Sequence, residues 1–291
     1  MKKTTKKTKL KKVSKIEKKT QSWLSNDVFV KLGILFLVAQ ILGLFVAKIL
    51  LLQGVETTSF TEDINDPLNA IFLFVEILIM TGVILFLIKY KKQRNFLWLM
   101  EGMAVALTSL IVFSAITLND YIALLFMVLL LFFRYRYKKN VLIRNVASVI
   151  SVAGAGSFIG ISFGLWVISL FIVILAIYDI VAVFGTKHMV TIGESVIKRN
   201  FAFTVSMPTK KHNFELGNGD LIIPLIVACS IMANSTFINK GLVVGLVLAA
   251  SFVGLCLSIY LVSAKKIAMP ALPPQTLLML IVIGTALLLG L

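Results

Sequence analysis

Two aspartates stand in apolar surroundings, where a charge is costly: Asp179 in "LAIYDIVAVFG" (175–185) and Asp220 in "LGNGDLIIP" (216–224). Like charges a few ångströms apart cannot both ionise, so two such carboxylates brought together would share one proton. One could then act as base on a water molecule while the other gives a proton to a carbonyl under attack, the chemistry of aspartic peptide hydrolysis. The same pair could equally serve a transporter or leak pathway as a proton or cation site. Spacing and depth alone leave those two readings level. Glu76 and Glu101 are further acids inside apolar runs, each expected to be a hydrogen-bonded structural acid.

The elements that must position these acids are long apolar runs. The chain of 291 residues is 59% hydrophobic and only 14% charged, and its runs recur at about the 20 residues that cross a bilayer as helix. The expected fold is therefore an all-α polytopic membrane protein. Its nine transmembrane helices lie near 27–52, 68–88, 96–117, 119–133, 141–160, 162–184, 217–238, 241–263 and 270–290. Residues 145–184 run on with no polar break and must turn, most simply in the glycine-rich "GAGSFIGISFG" (154–164). Gly156, Gly160 and Gly164 there also have the spacing that lets helices approach closely. Cys229 and Cys256 lie in apolar runs and read as small packing residues rather than a disulfide. The first apolar run is too long for a cleaved signal peptide.

Basic residues set the orientation. Ten Lys lie in residues 1–26, read as a basic cytoplasmic tail ahead of a nine-helix domain over 27–291. Further clusters fall at 89–94, 134–144, 187–211 and 265–266, while the opposite loop 53–67 carries four acids and no base. With nine spans and a cytoplasmic N-terminus, each cluster faces the cytoplasm and the C-terminus lies outside. The net charge of +16 then needs no nucleic acid, only the bilayer and its anionic lipids. The sixth and seventh helices are antiparallel around the cytoplasmic loop 185–216. At 1.5 Å per residue, Asp179 lies roughly 9 Å and Asp220 roughly 5 Å from that loop.

The flanks separate the two chemistries. Gly217 and Gly219 lack Cβ, so the backbone beside Asp220 can be approached closely or take positive φ. Pro224 removes the N–H that would bond the Asp220 carbonyl. "AMPALPPQ" (268–275) puts Pro270, Ala271, Leu272 and Pro273 at the start of the ninth helix, on the same level as the acids.

Tyr178-Asp179, Gly217-Asn218-Gly219-Asp220 and Pro270-Ala271-Leu272-Pro273 resemble, in order and on matching helices, the three signature motifs of the presenilin and signal peptide peptidase family of Gly-x-Gly-Asp proteases. The resemblance spans about residues 27–291. It implies an intramembrane aspartyl endopeptidase with Asp179 and Asp220 as catalytic pair and Tyr178 as aromatic neighbour. Gly217, Gly219 and Pro270 to Pro273 would shape the site and receive substrate. It implies no metal or organic cofactor and no obligatory partner subunit, with single-pass transmembrane proteins as substrates. The basic N-terminus and Pro273 fit the presenilin branch, whereas "GDLIIP" is more like the peptidase branch. A compact microbial, archaeal homologue, multi-pass in the plasma membrane, fits best. Asn218 stands where Leu is frequent, a departure expected to be tolerable because only the flanking glycines set the backbone.

Other intramembrane proteases fit less well. There is no His-Glu-x-x-His pair for a metal, and both histidines, His188 and His212, lie in the cytoplasmic loop, away from any embedded serine. Prepilin peptidases share Gly-x-Gly-Asp but offer no counterpart of the Pro-Ala-Leu-Pro segment. In the loop, "FAFTVSM" (201–207) alternates as a half-buried strand would, and is expected to lie beside the acids and pair with an extended substrate.

Overall fold

A computed structural model describes residues 26–55, 59–89, 94–185, 201–208, 213–233, 237–265 and 270–291. Among them are nine α-helices: α1 (Asn26–Leu52), α2 (Leu68–Lys89), α3 (Arg94–Thr117), α4 (Asp120–Arg136), α5 (Val141–Ser162), α6 (Leu165–Ile180), α7 (Gly219–Ala233), α8 (Lys240–Lys265) and α9 (Leu272–Leu289). A π-helical turn, Val181–Gly185, continues α6. Two short strands, β1 (Thr204–Pro208) and β2 (Asn213–Gly217), stand between α6 and α7 and pair antiparallel, with Ser206 opposite Glu215. Six of the helices are long and apolar enough to cross a membrane, and α2 and α7 carry shorter apolar stretches. The basic tail to residue 25 and the loop stretches 186–200 and 209–212 lie outside the described residues.

Local chemistry sets the helix ends. Asn119 and Asn140 cap α4 and α5 with side-chain carbonyls that accept from the second and third backbone N–H groups of each helix. Asp120 opens α4, and Arg134 and Arg136 close it, matching the helix dipole at both ends. These basic residues belong to the helix, which therefore runs three residues past the expected 133. The long apolar run turns at Phe163–Gly164, at the very end of the glycine-rich segment, where the Gly164 N–H bonds the Ile64 carbonyl.

The other glycines of that segment serve packing. A Cβ on Gly160 would stand 2.5 Å from the Cys229 Cβ and 2.7 Å from the Ile226 carbonyl, and one on Gly156 would meet Leu225. They let α5 lie directly on α7. Helix α7 is the centre of the bundle, packed by α1, α5, α6 and α8, and nearly all of Leu221–Ile231 is buried. One apolar cluster joins α6, α7, α8 and α9, and a second joins α1, α5, α7 and the hairpin. A helix apolar on all sides belongs in such a centre.

Two expectations change. The strand begins at Thr204 rather than Phe201, because Phe201 turns away to pack edge-on against Trp98, 5.1 Å between ring centroids. It is also buried on both faces, Thr204 and Ser206 as well as Val205 and Met207. The seventh helix begins at Gly219, not Gly217, because residues 213–217 are taken by β2.

Candidate active site

Asp179 is carried by the last turn of α6 and is 7% exposed. Its Oδ2 accepts from the backbone N–H of Leu272 at 3.3 Å. That N–H is free to do so because it belongs to the first turn of α9, where helical donors lack internal partners. Pro273 and Pro274, which follow it, suit that turn because they have no N–H to satisfy. Pro270 is buried, and the Ala271 carbonyl stands 3.4 Å from Ser258 Oγ of α8, whose proton goes to the nearer Gly254 carbonyl at 3.0 Å.

Asp220 sits in the first turn of α7, where the helix dipole favours a negative charge. The Asn218 carbonyl caps this helix, accepting from Leu221 and Ile222. Pro224 takes away the donor for the Asp220 carbonyl. One residue on, Gln40 of α1 donates from Nε2 to the Leu221 carbonyl at 3.0 Å. Asp179 lies close enough for its charge to act on Asp220. The structure thus brings together Asp179, Asp220 and the Pro270–Pro273 segment, three stretches far apart in the chain. Tyr178 is half-buried and sets its ring edge-on to Phe74 of α2 at 5.6 Å.

Of the two roles expected of the glycines, positive φ and close approach, the first is not used. Neither Gly217 nor Gly219 has positive φ. A Cβ on Gly217 would make ordinary contact with Asp220 Oδ2 at 3.6 Å, and one on Gly219 would meet nothing within 4 Å. The folded chain uses neither their conformational freedom nor a tight internal packing at these positions. What they leave is open space beside Asp220.

Asn218 also departs from expectation. It is buried and bonds through its backbone and both ends of its amide, so its type matters. Of the two remaining acids, Glu76 is exposed on α2. Glu101 is the structural acid expected: it is 1% exposed, paired with Arg134 at 2.8 Å, and accepts from the Ala202 N–H at 2.9 Å. A second buried pair joins Arg144 of α5 to both oxygens of Glu215 on β2, at 2.8 and 2.9 Å. In the sequence Arg134 and Arg144 stand out only as orientation charges, and Asn145 and Ser148 do not stand out at all. A polar stripe at 144, 145 and 148, one face of an otherwise apolar helix, is the signal that was available. Among the described residues no group of three His, Cys, Asp or Glu side chains could share a metal ion.

The family described as signal-peptide peptidase, presenilin aspartyl protease matches residues 33–283. The structure is similar to that of a presenilin family intramembrane aspartate protease in two crystal forms. In C222 the TM-score is 0.68 at 23% identity, covering 90% of this chain and 99% of that one. In P2 it is 0.64 at 24% identity, covering 91% and 100%. At this identity the likeness speaks for a shared fold. No curated protein matches.

Proposed function

The chain belongs to the signal-peptide peptidase and presenilin family of aspartyl proteases, and from that premise we propose that Asp179 and Asp220 are its catalytic pair. The protein is an intramembrane aspartyl protease whose substrates are transmembrane proteins in the bilayer. A water between the two carboxylates gives a proton to one as it attacks the peptide carbonyl, while the other protonates the carbonyl oxygen. Collapse of the resulting diol returns a proton to the amide nitrogen and breaks the C–N bond. The observation that carries this reading is the Leu272–Asp179 contact at 3.3 Å, which ties the Pro-Ala-Leu segment to one acid while the other lies within its electrostatic reach.

Hydrolysis of a labelled transmembrane peptide by Asp179→Asn, Asp220→Asn and the double variant is the test. Each single variant should lose cleavage, and the double should be no worse than either, because the two act as one unit. Substantial turnover in either single variant would remove the assignment.

The same reading extends outward. All nine helices span, residues 27–291 form the protease domain behind a basic cytoplasmic tail over 1–26, and the C-terminus lies outside. Single-pass segments are cut near their cytoplasmic end, in the plasma membrane of a microbe, of archaeal type. The Gly-x-Gly-Asp glycines leave the gap through which substrate backbone reaches Asp220, and Pro270 to Pro273 line the other side. An unwound substrate needs partners for its freed backbone groups. β1 pairs with β2 on one edge, and on the other Ser206 gives its N–H and accepts at its carbonyl from Asn145, at 2.8 and 2.7 Å. Strand addition therefore belongs to the outer edge of β2.

A further inference from the structure

Between the two acids in the chain lies a buried peptide, Ala202, on which three helices converge. Its N–H donates to Glu101 Oε1 at 2.9 Å, and that carboxylate is held in turn by Arg134 at 2.8 Å. Its carbonyl accepts from Asn218 Nδ2 at 2.9 Å and stands 3.1 Å from Ser148 Oγ. Ser148 Oγ also lies 2.6 Å from Asn218 Oδ1. A hydroxyl has one proton, so the shorter contact takes it, and Asn218 uses both ends of its amide. The Asn218 N–H donates to the Phe203 carbonyl at 3.0 Å, and its own carbonyl caps α7 one residue before Gly219. Ser148, Ala202 and Glu101 are each no more than 1% exposed.

Building on the catalytic assignment above, we propose that Ser148 and Asn218 are positioning residues that fix the height and direction of Asp220. Apolar contacts hold α7 against its neighbours but tolerate small slides, because dispersion is non-directional. Buried hydrogen bonds are directional and costly to leave unmade, so they define one position rather than a range. The chain of bonds from the Glu101–Arg134 pair through Ala202 to Asn218 ends on the cap of the helix that carries Asp220. A displacement of order 1 Å at a reacting group can cost 100-fold in rate. The 2.6 Å bond from Ser148 ties this cap to α5, so Ser148 and Asn218 act as a pair.

The test uses the full chain in detergent with a transmembrane peptide substrate. Active sites are titrated with a hydroxyl-bearing peptide that mimics the tetrahedral intermediate, so that kcat is read per competent site. Ser148→Ala and Asn218→Leu should each lower that kcat about 10- to 100-fold with KM within about twofold. The double variant should lose no more than the worse single one, and Ser148→Thr, which keeps the hydroxyl, should return to within about threefold of the parent. Should Ser148→Ala give no titratable sites, Asn218→Leu alone carries the test. A titrated kcat within about twofold of the parent for a folded single variant would overturn the proposal, as would losses that multiply in the double variant. Asp220→Asn is run alongside: its inactivity with a fully active Ser148→Ala sinks only the positioning role, whereas an active Asp220→Asn sinks the catalytic assignment itself.

Discussion

Asp179 and Asp220 come within electrostatic reach of one another from opposite kinds of helix end. Asp179 closes α6 and is steadied by the Leu272 N–H, while Asp220 opens α7 under a cap supplied by Asn218. Two carboxylates within electrostatic reach and with one proton between them work only while that single proton is present. Protonating both removes the base, and ionising both removes the acid. The rate should therefore follow a bell, with two apparent pKa values that belong to the pair and to neither residue. Measuring kcat/KM from mildly acidic to mildly alkaline pH checks this, and a flat profile would count against the shared proton. The acids were legible in the sequence because an ionisable group inside an apolar run is rare and costly. Asn218 was not, because an uncharged polar residue between glycines reads as linker. Nor were the roles of Arg134 and Arg144: their partner acids lie 33 and 71 residues away, a distance only the fold closes.

Helix α7 can be central because α5 offers it a glycine face. Gly160→Ala would force a methyl against the Cys229 Cβ and the Ile226 carbonyl, and the backbone carbonyl cannot swing aside. Overpacking of this kind costs about 1–3 kcal/mol. Thermal inactivation of Gly160→Ala should come at clearly lower temperature than that of Gly245→Ala or Gly284→Ala, where an added Cβ meets nothing within 4 Å. Equal inactivation of all three would mean that α5 and α7 slide apart freely. The hairpin makes a sharper demand. Since Ser206 spends its N–H and carbonyl on Asn145, alternation along the strand turns Val205 toward β2. Val205→Pro removes that ladder N–H, so cleavage should fall sharply while the protein still binds a dyad-directed inhibitor. Unchanged turnover would make the hairpin a tether. Apolar length alone located most helices to within a few residues, but it overran α7, expected to 238 and ending at Ala233. The hairpin was half legible: alternation found β1, but "NFELG" (213–217) has only two apolar residues to alternate and joins a strand through pairing.

Among the described residues, the basic cluster at 134–144 lies at the end of the molecule where the acids lie. The hairpin meets α5 at Arg144 and Asn145, and its leading residue Ala202 meets α3 at Glu101, which Arg134 of α4 also reaches. The Leu272–Asp179 contact sets the start of α9 at the same end. Contacts at the far end are of another kind: Gly164 bonds Ile64, and Ile238 bonds Leu291, with the acid-rich stretch after α1 nearby in the chain. Because Lys and Arg are retained on the cytoplasmic side during insertion, the acids should face the cytoplasm, and substrates should be cut toward that side. Single cysteines on a background of Cys229→Ala and Cys256→Ala test this. Glu62→Cys and Lys139→Cys both alter exposed positions, one at each end of the bundle. A membrane-impermeant thiol reagent should label the first and spare the second in intact cells, and do the reverse in inverted vesicles. The opposite pattern would turn the whole bundle over, leaving the fold and the acid pair unchanged but moving the cut to the outer side of the membrane. Labelling of both from outside would break the nine-span count itself, since 62 and 139 would then share a face that an odd number of crossings between them forbids.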